Sequence, residues 1–195
     1  GSGKSTLSRI LAGAEEPDAG ELVKRTDLKV GYLSQEPVFE PGVRAVDAVL
    51  SGLGQWVKAM KAYDEVSAQL GAGEGDMNAL LERQGELSAQ IEKLGGWDKS
   101  HEAEAMLGHV GIKDPQQVVD SMSGGERRRV DLARLLVSAP ELAILDEPTN
   151  HLDLETVAWL ERYLQSRFRG ALILVTHDRY LLDRVVTRTL EVEAG

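Results

Sequence analysis

The sequence predicts an α/β fold: a mostly parallel sheet flanked by helices, with a helical subdomain inserted between two of its strands. Three observations carry this. Apolar runs at Val30–Leu33, Leu142–Leu145 and Ala171–Val175 are short enough to be buried strands. Segments with apolar residues at three- and four-residue steps separate them, and strands that alternate with helices pair in parallel. From about residue 46 to 110 the pattern is helical throughout.

Taken in order, Gly1–Thr6 leads into a helix marked by Leu7, Ile10 and Leu11, and Val30–Leu33 follows as a strand. Leu53, Trp56, Met60, Tyr63 and Leu70 then line one helix. After the breaker Gly71–Gly75, the residues Met77, Leu80, Leu87, Ile91 and Leu94 line a second, with Gln84 interrupting the seam. Two heptad-like helices of similar length joined by a Gly-rich turn suggest an antiparallel hairpin. The narrow seam and polar flanks favour a hairpin over helices that simply cover a sheet face. Gly95-Gly96 ends the second helix, and His101–Val110 predicts a further short one. Beyond it come a helix over Gly125–Val137, a strand over Glu141–Leu145, a helix over Leu154–Arg167 and the strand Ala171–Val175. A helix over Asp178–Val186 and a final strand over Thr187–Val192 complete the chain. Residues 1–195 are thus expected to form one domain with an insertion at about 46–110.

A net charge of −10 does not favour broad contact with nucleic acid or an anionic membrane, although a local basic patch remains compatible with RNA. The absence of cysteine excludes disulfides and thiol catalysis and fits a reducing cytosol. No apolar run approaches the ~18 residues of a membrane span, so no membrane insertion is expected and the expected location is cytoplasmic. The sequence begins at Gly1 inside a motif, and truncation at the N-terminus is expected.

That motif is Gly1-Ser2-Gly3-Lys4-Ser5-Thr6, the tail of G-x-x-x-x-G-K-[ST]. Its glycines let backbone N–H groups turn inward around phosphate oxygens, and the following helix start adds positive potential. Lys4 would reach the β- and γ-phosphates of a nucleotide, and the Ser5 hydroxyl would ligate Mg²⁺. Read alone, the stretch could be a Gly-Ser linker before a helix. Asp146-Glu147 ends the apolar run Leu142–Leu145, which holds two carboxylates at the sheet edge where ligands bind. Asp146 would contact Mg²⁺, and Glu147 would polarise an attacking water. The plainer alternative is an acidic turn before Pro148.

Ser123-Gly124-Gly125-Glu126 opens a helix and offers a second set of backbone N–H groups to an anion, or else is only an N-cap after a flexible turn. His177 follows the strand Ala171–Thr176 and could donate to a γ-phosphate oxygen, although a lone histidine is more often structural. Gln35 follows Val30–Leu33 and could give a neutral oxygen to Mg²⁺ or water.

Lys4, Gln35, Ser123-Gly124-Gly125, Asp146-Glu147 and His177 stand in an order that resembles the ATP-binding cassette (ABC) family: Walker A, Q-loop, signature, Walker B and H-loop. The resemblance covers essentially the whole chain. It implies a P-loop NTPase-type sheet, ATP as the nucleotide and Mg²⁺ as cofactor. Gly1 to Thr6, Gln35, Ser123, Gly124, Gly125, Glu126 and Asp153 are the implied nucleotide-binding residues. Glu147 and His177 are the implied catalytic residues, and Ser5, Gln35 and Asp146 the implied metal ligands.

Three stretches look like the soluble ABC-F branch: Met122-Ser123-Gly124-Gly125-Glu126-Arg127-Arg128-Arg129, Pro148-Thr149-Asn150-His151-Leu152-Asp153 and Thr176-His177-Asp178-Arg179-Tyr180. The run from Tyr32 to Gly195 looks most similar to the first cassette of Uup-like proteins. The family implies a second cassette as partner, in tandem or as a homodimer. ATP would lie between the Walker A of one and the signature of the other, with the D-loop Asp153 coupling the sites. For the branch, it implies a nucleotide-driven switch on ribosomes or nucleic-acid structures. The alternative is the motor domain of an ABC transporter, and a non-hydrolytic clamp is disfavoured by Glu147 and His177. Arg127–Arg129 reads either as a basic patch for RNA or as a structural, partner-facing element.

Overall fold

The computed structural model describes residues 3–192. Its sheet has three parallel strands, β1 (Val30–Leu33), β2 (Leu142–Asp146) and β3 (Ala171–Val175), in the order β1-β2-β3. Val30 lies opposite Leu142, and Leu142 opposite Ala171, so the three carboxyl ends are aligned. The central strand reads Leu-Ala-Ile-Leu without alternation because it is covered on both faces. Ala143, Ile144 and Leu145 are all fully buried.

Helix α1 (Lys4–Ala12) starts at Gly3 and packs on β1 and β2. Between β1 and β2 run α2 (Ala45–Leu50), α3 (Gly54–Ala72), α4 (Met77–Lys93), α5 (Ser100–His109) and α6 (Gly124–Ser138), with a 3₁₀ turn at Val119–Ser121. Helix α7 (Leu154–Ser166) joins β2 to β3, and α8 (Arg179–Val185) follows β3. The main core is built where α2, α5 and α6 meet, and α6 reaches on to β1. Val130, Ala133 and Leu136 of α6 interlock there with Ala45 and Val49 of α2 and Leu107 of α5.

The helical stretch between the strands therefore has two kinds of part. Its ends, α2 and α5, are core elements. Helix α2 carries no side-chain cap, which removes the sequence signal that would have marked it as a separate helix. Its middle, α3 and α4, is a hairpin whose helices pack on each other. Ala59, Leu87 and Ile91 are buried within that hairpin and do not belong to the main core cluster. Gln84 crosses the seam, and its Nε2 donates to Ser67 Oγ at 2.9 Å. At the base, Trp56 Nε1 donates to the carbonyl of Gly96 at 2.8 Å. Asp76 caps α4 by accepting from the backbone N–H groups of Asn78 and Ala79.

The strand expected at Thr187–Val192 does not form. The segment pairs with neither sheet edge, and Leu190 is 91% exposed. A short apolar alternation cannot hold a strand without a neighbour to satisfy its N–H and C=O groups. Among the described residues, no helix is long and apolar enough to cross a membrane.

Candidate active site

The site forms at the carboxyl ends of the three strands. Each strand there hands its chain to a loop, and the aligned register brings residues far apart in sequence together. Gln35, just after β1, donates from Nε2 to Asp146 Oδ2 at 3.3 Å. Asp146, the last residue of β2, is 1% exposed. Burial, and then the charge of Asp146, pushes the Tyr32 hydroxyl of β1 above its ordinary pKa.

Glu147 takes a left-handed backbone conformation, φ 50°, which is uncommon for a residue with a Cβ. Its N–H donates to the carbonyl of Val175 on β3 at 2.7 Å. Its carboxylate is held from the β3 side. Thr176 Oγ1 donates to Oε2 at 3.3 Å, and the backbone N–H of His177 donates to the same oxygen at 3.4 Å. The His177 ring lies with Nε2 3.5 Å from Oε1, and its side chain is 86% exposed. Glu147 and His177 are therefore adjacent, with the imidazole turned to solvent.

Gly3 caps α1 with φ 77°, a value that glycine adopts without penalty, and its carbonyl accepts from Leu7 N–H at 2.9 Å. Lys4, Ser5 and Thr6 form the first turn of that helix. Gly1 and Ser2, both expected to cradle phosphate, lie outside the described residues.

The remaining expected residues sit apart from this cluster. Ser123 and Glu126 form a capping box at the start of α6. Ser123 Oγ and N–H both donate to Glu126 Oε2, at 2.7 and 2.9 Å, and Glu126 N–H donates back to Ser123 Oγ at 3.3 Å. These bonds hold the Glu126 carboxyl below its usual pKa. Gly124 is the first residue of α6. Gly125 faces His151, whose Cβ would lie 3.2 Å from a Cβ added there. Asp153 caps α7, accepting from Thr156 N–H at 2.8 Å, and that bond lowers its pKa. Among the described residues, none of the hydrogen bonds of Ser123, Glu126 or Asp153 reaches Glu147 or Asp146.

Two contributors escaped sequence reasoning. Thr176 was visible only as the residue before His177, with no role of its own. Arg128, read within a tri-arginine run, is buried, and its Nη2 donates to the carbonyl oxygens of both Asp146 and Glu147. No sequence signal distinguishes it from Arg127 or Arg129.

Comparison with known proteins places this geometry in a family. A family model described as ABC transporter matches residues 1–150. The energy-dependent translational throttle protein EttA of Escherichia coli strain K12 is 41% identical over 195 residues, which covers all of this chain and 35% of that protein. The uncharacterized ABC transporter ATP-binding protein YfmR of Bacillus subtilis strain 168 is 39% identical over 198 residues, covering all of this chain and 31% of that protein. The chain thus spans about a third of the length of the curated relatives it matches. A solved ATP-binding subunit of an ABC transporter superposes with a TM-score of 0.61 over 94% of this chain and 67% of that one, at 17% identity, a likeness of fold alone. With strand-end chemistry, fold and family model in agreement, the chain belongs to the ABC transporter family and is an ATP-binding cassette.

Proposed function

We propose that this chain binds and hydrolyses ATP as one cassette of an ABC-F-type protein, a cytoplasmic nucleotide-driven switch acting on ribosomes or nucleic-acid structures. The observation that carries the enzymatic part is the meeting of Glu147, Thr176 and His177 beside the Asp146–Gln35 pair. In this reading Glu147 is the general base. Thr176 Oγ1 and the His177 N–H fix its Oε2, which leaves Oε1 to take a proton from water. The exposed His177 ring is free to turn toward a γ-phosphate oxygen and donate to it. Gly1, Ser2, Gly3, Lys4, Ser5 and Thr6 hold the phosphates in this reading, the last four from the start of α1.

The residues present suit Mg²⁺. Ser5, Gln35 and Asp146 offer a hydroxyl, an amide oxygen and a single carboxylate. Gln35 donates its NH₂ to Asp146, which leaves its Oε1 free of that contact. Among the described residues no three His, Cys, Asp or Glu side chains cluster as an all-protein metal cage, and Mg²⁺ is typically held by few carboxylates together with phosphates and water. When bound, Mg²⁺ neutralises charge developing on the β- and γ-phosphate oxygens.

A second cassette, in tandem or as a homodimer, completes the unit. Ser123, Gly124 and Gly125 face its nucleotide, so the Ser123 hydroxyl exchanges its bond to Glu126 for one to phosphate. Asp153 couples the two sites through the start of α7. The relative EttA, named an energy-dependent translational throttle protein, supports the ribosome as the object of the switch. The α3–α4 hairpin supports the same reading over a transporter motor, because its buried residues stand outside the main core.

The test is co-sedimentation of the full-length protein with ribosomes, with and without ATP, alongside ATP turnover. ATP-dependent retention on ribosomes with measurable turnover is expected. No turnover by the full-length protein would overturn the enzymatic reading. Turnover without retention, together with co-purification of a membrane subunit, would favour the transporter motor.

A further inference from the structure

Arg128 is a buried cation in the second turn of α6, 9% exposed. Burying a guanidinium is costly unless its donors and its charge find partners. The partners here are not surface acids. Arg128 Nη2 donates to the carbonyl oxygen of Asp146 and, at 3.0 Å, to that of Glu147. Its Nε has no hydrogen-bond partner. The buried carboxylate of Asp131, on the same helix, feels its charge.

The two carbonyls belong to the two residues on which the proposed chemistry depends. Glu147 also has a left-handed backbone, a state that is costly for a residue with a Cβ and persists only where the surroundings hold it. The surroundings hold it from two sides. Val175 of β3 accepts from its N–H, and on its C=O both Arg128 of α6 and, at 3.3 Å, the Asn150 N–H donate. Without Arg128 only the Asn150 N–H would remain on that carbonyl, and the alignment of the carboxylate with Thr176 and His177 would rest on a weaker hold. Because Arg128 belongs to the helix capped by Ser123, it links that helix directly to the Asp146 and Glu147 peptides.

We propose that Arg128 is a positioning residue: it clamps the Asp146–Glu147 backbone so that the seating of the Ser123 end of α6 sets the orientation of the Glu147 carboxylate. This rests on the reading of Glu147 as general base. It also takes Arg128 out of any RNA-facing basic patch.

The experiment is steady-state ATP turnover and nucleotide binding by the full-length protein carrying R128Q, R128K, E147Q and the double variant R128Q/E147Q. R128Q is expected to lower kcat by about 10- to 100-fold, the usual cost of losing an orienting partner, with KM and nucleotide affinity nearly unchanged. R128K, which keeps the charge and one donor direction, recovers part of the loss. Added to E147Q, R128Q should cost nothing more, because the base on which it acts is already gone. A kcat for R128Q within about twofold of the parent would overturn the proposal, as would a loss borne by KM or a full further loss on the E147Q background. If R128Q does not fold, R128K decides: lower kcat at constant KM supports the clamp, and unchanged kcat overturns it. Undiminished turnover by E147Q alone would instead remove the base assignment, a separate result from that of the single R128 variants.

Discussion

Gln35 Nε2 donates to Asp146 Oδ2 at 3.3 Å, so the ends of β1 and β2 are joined by two side chains 111 positions apart. The bond uses one N–H of the amide and orients the amide oxygen, which defines what loss of Gln35 should do. For Gln35→Ala in the full-length protein, nucleotide binding without metal is expected to be unchanged. The Mg²⁺ concentration for half-maximal turnover should rise about tenfold or more. A magnesium titration of turnover checks this, and removal of Mg²⁺ by chelation should abolish turnover in both proteins.

Glu147 is bonded on its carboxylate by Thr176 and His177 while its backbone spans β2 and β3. Glu147→Gln keeps the size and the acceptor oxygen and removes only the basicity. Turnover should fall by about 10²- to 10⁴-fold with ATP affinity retained, trapping the paired cassettes closed. Size-exclusion chromatography with ATP, run beside a turnover assay, checks both parts. An undiminished rate from this site would sink the base assignment.

Trp56 and Gly96 meet at the base of the α3–α4 hairpin, so its two ends are close enough to be joined by a short linker. Leu53 packs against the main core and should be kept. Replacing residues 55–93 by a few Gly and Ser residues should leave nucleotide binding within about threefold of the parent, since the buried residues removed belong to the hairpin itself. Ribosome co-sedimentation should be lost. Loss of nucleotide binding would show that the hairpin belongs to the core.

Gly52 follows α2, where a Cβ would come 2.4 Å from the backbone oxygen of Arg134 on α6. That oxygen belongs to a helix interior and cannot swing aside. Gly52→Ala is therefore expected to destabilise the protein by about 1–3 kcal/mol through separation of α2 from α6. Denaturant unfolding of the parent and variant measures it.

Glu126 and Asp153 are held below their ordinary pKa values by the backbone and hydroxyl groups they cap. The unfolded chain binds protons at these groups at a higher pH than the folded one, so stability is present above about pH 4 and is lost as pH falls through the lowered values. Asp131 runs the other way. Burial raises its pKa despite Arg134, so the folded state binds its proton first and Asp131 weakens the fold as pH rises through that raised value. Glu126→Gln and Asp153→Asn should flatten the acid side of the melting-temperature profile, and Asp131→Asn should steepen it. Thermal melts between pH 3 and 6, about the carboxylate range, check the signs.

Much of this was legible in sequence because it depends on local pattern. Unbroken apolar runs read as β2 and β3. The three- and four-residue steps read as α3 and α4, and Gly71–Gly75 read as the break between them, although α3 runs through Gly71 to Ala72. Helix α2 and the fate of Thr187–Val192 were not legible. The first lacks a cap, and the second needed a neighbouring strand that the fold does not supply.

The motif residues at the strand ends were likewise written in order along the chain, since each is placed by its own strand or helix terminus. What the residues touch was not. The sequence by itself determined that Gln35, Asp146, Glu147 and His177 stand at the carboxyl ends of strands, because strand length and the residue that follows it are local. Only the parallel register of β1, β2 and β3 decided that they meet, and only the packing of α6 decided that Arg128, of three consecutive arginines, reaches the carbonyls of Asp146 and Glu147. Hydrogen bonds between side chains over a hundred positions apart depend on how whole elements dock, and no window of sequence contains that information.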